Sequence, residues 1–284
     1  MDARYELPPG ASLRVVSSSG DITVVAEERT DIQAPEGAHV EPHPGRGEHG
    51  EGAPPEGTRV ESAARRRHGK KALRVLRRLV RGAIHGPRAQ GPRERGPYLE
   101  IRAGRGGSRD LEVRCPAGTR VSIGTISGDV TLRGEFGDTT VATTSGDVFV
   151  DHAAALDARS VSGDLKVNGC SGACLLHTKS GDIEAEATGP AEATTISGQV
   201  RLHRTAGGVT VRTISGSVEL VTDGSDAVVV RTVSGRITVR VARGRLPSTR
   251  LRSLSGKIDC ECPRGTDFPL EVTSVSGGIE VEPS

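Results

Sequence analysis

Four aspartates recur at one phase of the 284-residue chain: Asp129, Asp147, Asp164 and Asp182, each directly after a Ser-Gly dipeptide. Carboxylates repeated in this way could serve three kinds of chemistry. Paired acids about 5 to 9.5 Å apart hydrolyse glycosides. A row of carboxylate oxygens can hold Ca2+ weakly. An Asp at a corner can also accept hydrogen bonds from backbone N–H groups. The column continues as Gln199, Ser217, Arg236, Lys257 and Gly278, so it loses its charge halfway. Turn chemistry is therefore the favoured reading, with weak calcium binding and action on an acidic glycan as alternatives. Sugar platforms usually need aromatic stacking, and the chain has no Trp, two Tyr and three Phe.

Other reactive side chains do not assemble into a recognisable set. His152, His177 and His203 are dispersed without a nucleophile beside them, and His39, His43 and His49 lie in a Pro- and Gly-rich stretch and read as solvated. The five cysteines, an odd count at irregular spacing, form no disulfide framework and no paired CxxC metal unit. Cys174 and Cys260 fall at apolar positions and read as core, whereas Cys262 is the expected exposed thiol. There is no GxSxG, P-loop or HExxH pattern. No catalytic residue, cofactor or resident metal is predicted, and the expected class is not an enzyme.

The elements that position these residues are read from the Ser-Gly dipeptides. Their glycines, Gly128, Gly146, Gly163, Gly181, Gly198, Gly216, Gly235, Gly256 and Gly277, are separated by 17 to 21 residues, and Ser19-Gly20 stands upstream. Two residues after each Gly comes a branched aliphatic residue, from Val130 and Val148 to Ile258 and Ile279. Four after comes another small apolar residue, and the position between is mostly polar. That alternation specifies a strand with one buried face. A second short strand precedes each dipeptide. Three before Gly every copy has Thr or Ser, whose hydroxyls are expected to bond one another along a ladder. A unit this short cannot bury its own apolar face, but it can when stacked on its neighbours. The prediction is an all-β fold: a parallel β-solenoid (β-helix) of about ten coils with a Gly-dependent corner. Scarce aromatics suit so thin an interior. The last strand, Gly278 to Val281, is expected to end the stack, with Glu280, Glu282 and Pro283 discouraging edge pairing.

The stretch LEVRCPAGTRVSIGTISGDVTLRGEFGDTTVATTSGDVFV, Leu111 to Val150, resembles the bacterial adhesin-type family of unknown function, in which a t-x-S-G-D-[ILV] core recurs. Pro116, Gly118 and Thr119 also match. The resemblance covers residues 5 to 32 and 98 to 284 and implies a solenoid of β-strand repeats without assigning an activity.

Between Gly20 and Gly128 the repeat is interrupted. Residues 1–32 read as an N-terminal coil, 33–58 as a disordered acidic Pro/Gly linker, 59–97 as a basic insertion and 98–284 as the repeats. Residues 59 to 95 carry thirteen Lys and Arg against Glu61 and Glu94, a net of +11, so the rest of the chain carries −9 within a total of +2. Lys70 to Ile84 projects as an amphipathic helix. Leu73, Leu76 and Val80 lie on its apolar side, and Lys70, Lys71, Arg74, Arg77, Arg78 and Arg81 on the other. Such a helix suits an anionic membrane surface, a partner protein, or packing onto the solenoid itself. Nucleic acid fits poorly, because the acidic remainder repels phosphate. A second basic concentration, Arg231 to Lys257, reads as a solvated surface. No apolar run of membrane-spanning length and no leader pattern are present, so the expected location is cytoplasmic, peripheral at the inner face of the membrane. The expected role is a scaffold or interaction module. Self-association through the solenoid ends is one alternative, and binding an acidic glycan through the Asp column is the other.

Overall fold

The protein is described by a computed structural model over residues 3–7, 10–43, 97–103 and 110–284, in which every regular element is a strand. The predicted basic helix and its nine named residues fall outside the described residues. The first coil is β2 (Ser12–Val16) and β3 (Ile22–Glu27), around Ser19-Gly20. Beyond the interruption come β6 (Tyr98–Arg102), β7 (Leu111–Pro116), β8 (Arg120–Gly124), and the long β9 (Val130–Ala142) and β10 (Val148–Arg159). Pairs of shorter strands follow: β11 (Leu165–Cys170) and β12 (Cys174–His177), β13 (Ile183–Thr188) and β14 (Ala191–Ser197), β15 (Val200–Thr205) and β16 (Val209–Ser215). The last strands are β17 (Val218–Thr222), β18 (Val228–Arg231), β19 (Ile237–Val241), β20 (Pro247–Ser255), β21 (Ile258–Cys260), β22 (Phe268–Ser276) and β23 (Ile279–Pro283).

Strands after the Ser-Gly corner pair in parallel with one another, and strands before it do the same. Ile183 lies opposite Val200, Val200 opposite Val218, and Val218 opposite Ile237. Like residues therefore stack on like, and the alternating aliphatic side chains merge into one core running from Leu13 to Val281. Parallel pairing is favoured here because equivalent residues recur at a constant offset and keep the apolar face inward in every coil.

The corner explains its composition. Gly128 and Gly146 have φ of 134° and 143°. More decisively, a Cβ on Gly146 would overlap the carbonyl oxygen of Gly128, and the same overlap recurs at Gly181, Gly198, Gly216 and Gly235 against the coil before. The dipeptides approach too closely for any side chain there. The serines beside them form a continuous series of parallel bridges from Ser19 through Ser127 to Ser234, Ser276 and Ser255. The buried hydroxyls three before Gly do not bond one another as expected. Thr178 donates to the carbonyl of Gly163 at 3.3 Å and Thr195 to that of Gly181 at 3.4 Å, so they support the corner of the neighbouring coil.

Chain order and stacking order differ at both ends. The first coil is flanked by β6 and β7 on one side and by β8 and β9 on the other, so the second coil in sequence lies outside the first. At the opposite end β22 pairs with both β18 and β20, and β23 with both β19 and β21. The last coil in sequence thus sits between its two predecessors. The wider, 21-residue spacing of the last two dipeptides supplies chain to cross two coil heights, about 10 Å.

The N-terminal end is covered by strands running the other way. β4 (Asp31–Ala34) pairs antiparallel with β1 (Ala3–Glu6) and touches β7 at Gln33 and Arg114, and β5 (His39–His43) pairs antiparallel with β6. Residues 33 to 43, expected to be linker, therefore belong largely to the fold. Ile32 and Ala34 alternate inward with Asp31 and Gln33 outward, a four-residue strand pattern too short to stand out against its Pro- and Gly-rich continuation. His43, expected to be solvated, stacks on Tyr98 with ring centroids 4.5 Å apart.

Candidate functional site

The aspartate column is a ladder of backbone caps. The amide of Asp147 donates to Oδ1 of Asp129 at 2.9 Å, that of Asp164 to Asp147 at 2.9 Å, that of Asp182 to Asp164 at 2.8 Å, and that of Gln199 to Asp182 at 2.8 Å. Asp21 and Asp110 extend the series at the other end. Each of these corners exposes an amide that points along the stack, and a short carboxylate from the neighbouring coil is the acceptor within reach. A shallow groove of about 410 Å³ runs beside the ladder, with Lys166, Glu184 and Arg201 on its wall. The four carboxylates lie in a row, and no three of them converge as a metal's ligands must.

Convergence occurs one strand face away. Among the described residues, one trio of potential metal ligands brings its atoms within 4.8 Å of one another: Glu184, Glu186 and His203. Glu184 and Glu186 project from the same face of β13, and His203 from the adjacent β15, which pairs with it in register. His203 Nε2 stands 3.7 Å from Glu184 Oε1 and 3.9 Å from Glu186 Oε1. Single-residue reading missed this trio, although the signal is present: Glu186 and His203 are 17 residues apart, one repeat, and so occupy the same place in successive coils.

The cysteines separate by environment. Cys115 is buried, and desolvation pushes its thiol up to about 12. Cys174 is also buried and is raised by its hydrogen bond with Cys170 and by burial. The last pair reverses the expectation: Cys262 is buried and Cys260 exposed. The reason is the interchange of coils, which makes β20 and β21 the end of the stack. Cys260 holds an interior position with no coil beyond it, whereas Cys262 belongs to the buried core cluster.

The same interchange corrects the expected end strand. β23 is an interior strand, and its Glu282 accepts from Arg240 at 2.7 Å rather than blunting an edge. The basic concentration is partly neutralised: Arg231 faces Glu271 at 3.6 Å and Lys257 faces Asp259 at 2.9 Å. Arg240 is held between Glu219 and Glu282, and those bonds raise its pKa.

On their outer edges, β20 and β21 pair with no described strand. Leu254, near the end of β20, is 84% exposed, Ile258 in β21 is exposed, and so is Leu246 at the opposite end of β20. Leu254 also terminates an apolar ridge formed by the residue before each corner serine: Ile196, Ile214, Val233, Val275 and Leu254, all exposed, on five successive coils. At one strand spacing per coil the ridge is about 19 Å long. Lys179 closes its other end.

No curated protein matches the chain. Among solved structures, a putative cell adhesion protein from Clostridium sporogenes ATCC 15579 aligns over 100% of this chain and 99% of its own at 8% identity, with a TM-score of 0.21, a likeness too slight to carry an argument. The Toastrack DUF4097 family model matches residues 99–240, from the strand that flanks the first coil to the penultimate residue of β19. That span is half of the chain and contains most of the Ser-Gly corners, and the protein belongs to the Toastrack DUF4097 family.

Proposed function

We propose that the chain is a non-enzymatic scaffold whose uncapped end, β20 and β21, pairs with the same end of a second copy. The carrying observation is the contrast between the two ends. At the N-terminal end the outermost described strands, β1 and β5, also have one unpaired edge, but they run antiparallel to the stack and Pro42 removes a donor from β5. At the other end two strands keep free outer edges beside exposed Leu254, Ile258 and Leu246. Free edges with apolar neighbours are templates for strand pairing. Two copies related by a two-fold axis pair such edges antiparallel and close the assembly, whereas a filament needs a receptive edge at both ends. The aspartate ladder supports the non-enzymatic part of the reading, because its carboxylates are engaged by backbone amides. Sedimentation of the full chain is expected to show a monomer–dimer equilibrium that Leu254→Arg shifts to monomer by at least about tenfold in Kd. A wild-type chain that stays monomeric at hundreds of micromolar sinks the reading.

A second contact is favoured by charge segregation. In sequence the +11 segment lies between His43 and Tyr98, residues that lie opposite one another in register. Both residues are thus at the covered end, away from β20 and β21. Docking of Lys70, Lys71, Arg74, Arg77, Arg78 and Arg81 on an anionic membrane surface, with Leu73, Leu76 and Val80 inserted, is the form of this contact that suits their pattern best. A partner protein is the alternative docking surface.

A further inference from the structure

We propose that Glu184, Glu186 and His203 bind a divalent first-row transition ion, with Zn2+ the representative species, and that the ion fastens two successive coils together. The three ligand atoms come from two hydrogen-bonded parallel strands whose register fixes their spacing. Ligands around a tetrahedral zinc lie about 3.3 Å apart, given bonds of about 2.0 to 2.1 Å. The observed separations of 3.7 and 3.9 Å need only small side-chain movements to close. The ligand chemistry selects the ion class: imidazole favours zinc and its neighbours over calcium or magnesium, and two carboxylates neutralise the charge. Three protein ligands at the surface leave a further position for water.

Two observations set this trio apart from an ordinary surface ion pair. His203 Nε2 is shut off from solvent by its surroundings and makes no hydrogen bond, so a nitrogen lone pair or proton there lacks a partner. The oxygens that face His203, Oε1 of Glu184 and Oε1 of Glu186, also accept no hydrogen bond from another described residue, although Lys166 competes for the far side of Glu184. Arg201, in register beside Glu184, is instead hydrogen-bonded to Gln199, and the nearest other cation, Lys166, stands 3.6 Å from the far oxygen, Oε2. His43 provides the contrast. Its Nε2 is likewise closed off and approaches two glutamates, but Glu41 is bonded by His39 at 2.8 Å and Glu100 by Arg102 at 2.6 Å, so the difference lies in the carboxylates.

The test compares full-length protein, stripped with chelator, with its His203→Ala, Glu186→Gln and Lys166→Ala variants. Zn2+ is titrated calorimetrically, and thermal unfolding is followed with and without the metal. Wild type is expected to bind one equivalent more than His203→Ala, with at least about a tenfold loss of affinity at this site in Glu186→Gln. Zinc is expected to raise the melting temperature of wild type and to leave that of His203→Ala unchanged. Lys166→Ala, which removes the competing cation, should bind more tightly than wild type. Comparing wild type with the variants removes the contribution of other histidines and cysteines. If wild type and His203→Ala take up equal zinc with equal thermal shifts, or Glu186→Gln binds as wild type does, the proposal is overturned. Glu186→Gln preserves the shape of the side chain and guards against a variant that fails through misfolding.

Discussion

Cys260 lies in register opposite Val281, yet Val281 is completely buried and Cys260 is exposed. Both occupy the second inward-facing position after a Ser-Gly corner. Their different fates follow from stacking order alone, since Val281 has a coil on each side and Cys260 on one. Native labelling with a thiol reagent is expected to modify Cys260 fastest, with Cys115 and Cys174 protected by burial and raised pKa values. Cys260→Ser should remove the fast phase. If the bare end pairs with a second copy, the rate at Cys260 also falls as protein concentration rises. A fast phase that survives Cys260→Ser would place the exposed thiol elsewhere.

The corner glycines should be the least replaceable residues of the fold. In Gly181→Ala the added Cβ meets the carbonyl of Gly163 and cannot be relieved without separating two coils. A loss of about 3 kcal/mol is expected from overpacking against backbone. Gly118→Ala, where the Cβ has open space around it, is the control and costs only the strain of its positive φ. Denaturant midpoints of the two variants measure the difference, and equal midpoints would contradict the close-approach account.

The aspartate ladder should tolerate loss of charge better than loss of an acceptor. Asp164→Asn keeps an oxygen for the amide of Asp182, whereas Asp164→Ala leaves that amide to solvent. The Ala variant is expected to lose about 1 kcal/mol and the Asn variant less. Equal losses in the two variants on equilibrium unfolding would show that the carboxylate charge, rather than the hydrogen bond, matters.

His177 gives the fold a pH-dependent component. Burial, assisted by the Arg159 charge, lowers its pKa below the ordinary 6.5. The unfolded chain therefore takes up this proton first as pH falls. The stability contribution is complete above 6.5 and declines as pH drops from there through the folded-state value. His177→Gln should flatten that part of the stability–pH curve, measured by denaturation at several pH values. An unchanged slope between wild type and variant would remove His177 as its source.

Removal of residues 59 to 95 is expected to leave the solenoid cooperative, because the strands on either side, β5 and β6, pair directly with each other. Cosedimentation with anionic vesicles should fall to background in the deleted protein. Equal binding by both proteins would remove the basic segment as the membrane contact.

Much of the coil was legible because a solenoid writes its contacts into its period. The aliphatic columns around Val130, Val148 and Ile183 identify the strands, and Ser-Gly marks the corners. What a period cannot state is stacking order. Gly256 and Gly277 continue the series in sequence and exchange places in space, and only their longer spacing hints at it. That exchange explains why Cys260 and Cys262 have each other's expected environments and why Glu282 is an ion-pair partner rather than an edge guard. The zinc trio illustrates a different limit: Glu184, Glu186 and His203 are unremarkable individually and meet only after one repeat is laid on the next.

The interchange of the last coils has a consequence for the order in which the molecule is completed. During synthesis β20 and β21 emerge before the strands that must separate them from β18 and β19. Their only strand partners in the folded molecule are β22 and β23, which are made later. A chain halted before Phe268 would therefore forfeit two coils rather than one, leaving β18 and β19 as its boundary. The terminal surface that bears Leu254 and Cys260 comes into being only when the final strands have been made, so its presence reports that translation of this region has finished.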